Sequence, residues 1–208
     1  MSKFKLTETA RENVGKVFEK AGEASEKIAG LAALRKDAKD DLDKGYTGKA
    51  GYQKRLEEIQ AQEDAVKEEF EDAASAIQSD MQKAIDRGLK INPEALTAQD
   101  VAILGGAVRL TEKELRDLHD RYAADCNYTG MRAIQTAAER AGMTVIDPFP
   151  AYLKGIADIT AETVGYGRAI ISDRAYSDNG GQIFAKLSDG IDGLDAAVES
   201  FPVVSSNE

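Results

Sequence analysis

The sequence predicts an all-α fold: a long antiparallel αα-hairpin, coiled-coil-like, followed by a compact helical region. Three observations carry this. A heptad register runs up to a turn and comes back down. Short segments with repeated helix-capping signals follow it. No segment shows the strict alternation of apolar and polar residues that a half-buried strand needs.

The register comes first. Ala10, Val17, Ala24, Leu31 and Ala38 recur every seven residues, as do Val14, Ala21, Ile28, Arg35 and Leu42. Past a glycine-bearing turn, Tyr52, Ile59, Val66 and Ala73 form one row, and Leu56, Glu63, Phe70, Ile77 and Ala84 the other. Steps of three and four keep one seam facing a partner helix. If the chain folds back between Gly45 and Gly51, residues whose numbers sum to about 94 should face each other. Leu42 then meets Tyr52, Ala38 meets Leu56, Ile28 meets Val66, Ala24 meets Phe70 and Val17 meets Ile77. Large side chains oppose small ones at several layers, as a packed seam requires. Arg35 and Glu63 interrupt the seam in adjacent layers, facing Ile59 and Leu31. Two readings stay open for them: both snorkel to the seam edge, or they form a register-fixing ion pair. Arms of roughly 35–40 residues would make the hairpin about 55 Å long.

Local punctuation fits the hairpin. Thr9 and Glu12 have capping-box spacing, Gly45 suits a left-handed helix end, Thr47 suits the N-cap of the return arm, and Gly88 and Pro93 bracket its end. Next come two more capping boxes, Thr97 with Asp100 and Thr111 with Glu114. Helices carrying Val101, Ile103, Leu104 and Val108, then Leu115, Leu118 and Tyr122, are expected after them. A third helix, starting near Tyr128 or Thr129, carries Met131, Ile134, Ala137, Ala138 and Ala141 and ends at Gly142. Residues 145–150 read as an extended linker, because each proline disfavours helix at the residue before it. A longer helix is expected from about Ala151 to Tyr176, with Gly165 and Gly167 allowing a kink or a close approach. After an Asn179-Gly180-Gly181 turn, Phe184, Leu187, Ile191, Leu194, Val198 and Phe201 restore the heptad, and Pro202 stops it ahead of a loose tail. The domain reading is a hairpin over 1–92, a three-helix unit over 93–144, and two C-terminal helices with a tail over 145–208.

Bulk properties narrow the function. The chain has 208 residues, 42% of them hydrophobic, with 37 acids against 27 bases and a formal charge of −10. That charge makes nucleic acid a poor partner. No apolar run suggests a signal peptide or a membrane-spanning helix, so neither secretion by a leader nor membrane insertion is expected. The single cysteine, Cys126, cannot form an intrachain disulfide. Glu57 to Asp72 holds eight acids and one lysine, and reads as a solvated outer face in preference to a docking site for a basic partner.

Candidate chemistry is sparse. His119 is the only histidine, so no multi-histidine metal site is available, and no serine or cysteine stands at relay spacing from it. Asp189, Asp192 and Asp195 are spaced by three, which suits the polar face of a helix, where a calcium loop wants alternate positions. Gly105-Gly106 lacks the lysine of a phosphate loop, and Gly165-Tyr166-Gly167 matches no nucleotide fingerprint. No catalytic, metal-binding or cofactor-binding residue is assigned, and no enzyme is expected.

Two stretches carry a resemblance. Leu34 to Ile59, with Asp43-Lys44-Gly45-Tyr46-Thr47 and then Gly51-Tyr52-Gln53-Lys54-Arg55-Leu56, resembles helical hairpins in structural proteins of tailed bacteriophages. Leu110-Thr111 to Ala141, including Arg121-Tyr122 and Thr129-Gly130-Met131-Arg132-Ala133-Ile134, is similar to small helical segments of phage late-operon proteins. Together they cover roughly a quarter to a third of the chain. The resemblance implies a virion or capsid-associated assembly protein, in the particle or in the host cytoplasm during assembly, whose partners are itself and a capsid protein. It carries over no functional residue. The Phe184 to Phe201 helix is the expected interaction surface. The rival expectation is a cellular helical adaptor or effector binding module.

Overall fold

The computed structural model describes residues 5–88, 90–124, 127–145, 149–173, 176, 178–199 and 204–206. Helices dominate, as the heptads require. Helix α1 spans Lys5–Asp43 and α2 spans Lys49–Gly88. A 3-10 turn at Pro93–Ala95 leads to α3 (Ala98–Ala102), which runs into a π-turn at Ile103–Ala107. Then come α4 (Glu112–Ala124), α5 (Tyr128–Arg140), strand β1 (Met143–Val145), α6 (Phe149–Ser172), α7 (Gly180–Glu199) and strand β2 (Val204–Ser206). β1 and β2 pair antiparallel, Met143 opposite Ser206 and Val145 opposite Val204. This short ribbon replaces part of the expected linker and of the expected loose tail.

The chain forms two compact units that do not follow the sequence boundaries at 92 and 144. One comprises residues 12–80 and 160–188, the other residues 1–11, 81–159 and 189–208. Each assembles segments remote in sequence.

In the 12–80 and 160–188 unit, α1 and α2 pack as an antiparallel hairpin. Gly45, at φ +74°, occupies the left-handed region that favours glycine. The Tyr46 N–H donates to the Asp41 carbonyl at 2.8 Å, and the Gly45 N–H to the Leu42 carbonyl at 3.0 Å. These are the paired bonds of a Schellman cap. The Tyr52 N–H bonds to the Gly48 carbonyl, so Gly48, not the expected Thr47, provides the first helical acceptor. The Thr47 hydroxyl instead packs over Gly51.

On the first arm Val17, Ala21, Ala24, Leu31 and Ala38 are buried. On the return arm Ile59, Phe70 and Ala74 are the buried positions, while Tyr52, Leu56, Val66 and Ile77 are half-buried. Ile28 and Leu42 are half-buried too. Val17, Ala21, Ala24, Phe70 and Ala74 form one cluster with Val164 and Ile170 of α6, so this core has three helices where the sequence suggested a two-helix seam. Gly167 makes that possible: a Cβ on it would lie 2.6 Å from the Phe70 ring and 3.0 Å from Val17. Arg168 reinforces the contact with a two-pronged bond to Glu71, at 2.8 and 2.7 Å. Helix α6 runs unbroken through both glycines, so Gly167 serves close approach and no break in the helix is found. Phe18 meets Phe184 edge to face at 5.7 Å.

The other unit holds α4 and α5 together with residues 5–11, 81–88, 149–159 and 189–199. Leu115, Tyr122, Met131, Ile134, Ile156 and Ile191 are buried here. Gly130 lets α5 rest on the Tyr122 ring, which a Cβ would approach to 2.5 Å. Phe149 stands edge to face with both Tyr128, at 5.3 Å, and Tyr152, at 6.2 Å. Four local expectations are corrected. The chain is already helical at Lys5, so the Thr9–Glu12 box lies inside α1 and caps nothing. Ile85, not Ala84, is buried, because a 3.6-residue helix drifts against a strict heptad. Helix α6 starts at Phe149, with Pro150 in its first turn, where a missing N–H costs nothing. Helix α7 starts at Gly180, within the expected turn.

The two glycines of α6 give opposite expectations. Gly167→Ala should destabilise by about 1–3 kcal/mol through overpacking. Gly165→Ala, with open space around its Cβ position, should stabilise by about 0.5–1 kcal/mol through helix propensity. Chemical denaturation of both variants checks this, and equal effects would show that Gly167 is not a packing residue.

Candidate functional site

Most polar groups singled out by the sequence are engaged within the fold. Arg35 and Glu63 form the ion pair that was one of two readings, at 2.9 Å, with Gln60 also accepting from Arg35 at 2.6 Å. The Glu63 side chain is 12% exposed and the Arg35 side chain 39%, so the pair sits at the seam edge and is screened on one side. The acidic run is less free than its composition suggests. Glu63, Glu69 and Glu71 are taken by Arg35, Lys27 and Arg168.

The expected interaction helix is turned inward. Leu187 and Ile191 are buried and Leu194 is half-buried; Phe184 lies partly exposed against Phe18. The side chain of Val198, and all of Phe201, lie outside the described residues. Two of the three aspartates on α7, Asp192 and Asp195, are tied to α1. Asp192 pairs with Arg11, and Asp195 accepts from the Thr7 hydroxyl at 2.5 Å. Thr7 has one proton, given to Asp195, so Tyr152 donates to Thr7 across 2.7 Å. The result is a Tyr152–Thr7–Asp195 chain, buried at its Tyr152–Thr7 link and part-buried at Asp195, joining α6, α1 and α7. His119 is buried on α4, its Nδ1 3.3 Å from the Asp120 carboxylate. Cys126 lies outside the described residues. Among the described residues no group of three or more His, Cys, Asp or Glu is placed to hold a metal ion, and no helix is long and apolar enough to cross a membrane.

The feature that sequence reasoning missed lies between α3 and α5. Helix α3 begins with the expected capping box: the Asp100 N–H donates to Thr97 Oγ1 at 3.1 Å, and the Thr97 N–H to Asp100 Oδ2 at 3.3 Å. Asp100 also accepts from Arg121 of α4 at 2.6 Å, fastening α3 to α4. Burial opposes its charge, but the Arg121 and Thr97 hydrogen bonds win and hold its carboxyl below the usual range. After α3 the chain widens into the π-turn and leaves it at Gly106, φ +100°, then extends through Val108. The second capping box, Thr111 with Glu114, opens α4. This detour leaves an open groove of about 320 Å³, walled by Ile103, Leu104, Val108 and Leu110 on one side and by Ala137 and Arg140 of α5, with its C-cap Ala141, on the other. The single helix expected to carry Val101, Ile103, Leu104 and Val108 ends at Ala102, and Val101 and Val108 are 53% and 56% exposed. Arg109 also lines the groove, and Arg140 reaches across it to the Leu104 carbonyl at 3.4 Å. The only sequence signal was Gly105-Gly106, which resembles no phosphate loop but does mark a helix that cannot continue.

The lowered Asp100 fixes a pH dependence. Its contribution is fully present above the ordinary aspartate pKa of about 3.9 and is lost as pH falls through the lower folded value. Asp100→Asn should cost about 1–3 kcal/mol at neutral pH. Melting curves from neutral to acid pH should show a smaller acid-induced loss for the variant than for the parent; parallel curves would remove Asp100 from the account. Comparison with known proteins finds no family model that matches the chain, no similar curated protein and no similar solved structure.

Proposed function

We propose that the chain is a non-enzymatic structural or assembly protein that acts through helix–helix contacts, as a capsid-associated component of a tailed-phage particle, with itself and a capsid protein as partners. The observation that carries this reading is the α1–α2 hairpin. Its seam is closed by its own return arm and by α6, and its outer faces stay charged. Such a hairpin is a rigid element suited to presenting surface to neighbours. Tyr46 at its tip is 78% exposed, and Leu34 is exposed on its outer side. These are apolar points at which a neighbour gains from burial. The phage assignment rests on the resemblance of the segments 34–59 and 110–141.

The groove between the π-turn and α5 favours a second reading, a helical binding module serving some other protein. Sedimentation velocity, with and without purified phage heads, separates the two. The structural reading expects oligomers or co-sedimentation with heads, weakened by Tyr46→Ala. A strictly monomeric protein that never sediments with heads would overturn it.

A further inference from the structure

We propose that the groove between the π-turn and α5 is a docking site for an acidic amphipathic helix of a partner protein. The inference holds whichever partner the hairpin serves. The lining argues for apolar anchors: Leu104 is buried at the base, Ile103 and Leu110 are half-buried, and Val108 carries the apolar surface out to solvent. The charges argue for the sign of the ligand. In a chain of net charge −10, two arginines line this groove. Among the described residues neither is in an ion pair, whereas Arg11, Arg35, Arg55, Arg116, Arg121 and Arg168 each hold a carboxylate. Arg140 makes one long bond to the Leu104 carbonyl. A guanidinium has five N–H donors, so most of its capacity, and that of Arg109, is open to incoming carboxylates. Partner side chains seated between them would need apolar anchors flanked by acids. A helix supplies these at spacings of three and four while satisfying its own backbone, so nothing polar is stranded against the apolar wall.

The test uses the full chain with methyl-labelled Ile, Leu and Val, titrated with a synthetic amphipathic helical peptide bearing leucines on one face and glutamates beside them. Saturable shifts at Ile103, Leu104, Val108 and Leu110 are expected. Binding should weaken roughly tenfold or more when lysines replace the glutamates, and likewise in Arg109→Glu. Arg140→Gln is the companion variant; Arg109, exposed and with no side-chain hydrogen bond or ion pair among the described residues, keeps the test decisive if Arg140→Gln misfolds. Equal binding of the lysine peptide, or no shift at any peptide concentration, overturns the proposal. So do shifts that grow with protein concentration alone, which would make the occupant a second copy. Dodecanoate filling the groove and excluding the peptide would also overturn it, by making the site a pocket for small amphiphiles.

Discussion

The structure depends on one constraint, that α1 and α2 must bury a common apolar seam in a single register. Two helices of 39 and 40 residues, each polar on most of its surface, have little reason to stay folded apart. The turn at Gly45 decides which residues meet, and a slip would set Arg35 away from Glu63 and Lys27 away from Glu69. The small residues of the seam then do a second job. Ala21, Ala24 and Ala74 lie in the same cluster as Val164 and Ile170, and Gly167 admits Phe70 and Val17. A seam of large residues throughout would leave less room for α6 to pack this closely.

That history explains which parts were legible in the sequence. Heptads, capping boxes and the Gly45 turn are local and periodic, and each appears near its expected place, with Thr97–Asp100 and Thr111–Glu114 closing as bonded pairs. Thr9–Glu12 has the same spacing but lies inside α1, where helix on both sides already pairs the backbone. Capping spacing alone cannot tell a helix start from a helix interior. The inward turn of Leu187 and Ile191 was hidden for another reason. A heptad states that a helix has an apolar face, not whether its partner belongs to the same chain. The pairing of Met143–Val145 with Val204–Ser206, and the grouping of residues 160–188 with 12–80, depend on contacts between segments distant in sequence, which no local pattern encodes.

The groove was hidden in a different way. Val101, Ile103, Leu104 and Val108 read as the apolar residues of one helix. The π-turn widens the backbone at Ile103 and Gly106 ends it, so only Leu104 of the four is buried. The break in the helical pattern opens the groove, and among the described residues Arg109 and Arg140, which line it, are in no ion pair.

The central claim, that the seam is closed within one chain in this register, is tested most directly at Arg35 and Glu63. A double-mutant cycle with Arg35→Ala and Glu63→Ala measures their coupling free of other effects of each substitution. For a pair exposed on one side, the account predicts a coupling of about 0.5–1 kcal/mol, unchanged when protein concentration is varied. A coupling of zero, or one that scales with concentration, would mean that the two residues meet in another register or on another chain, and would contradict it.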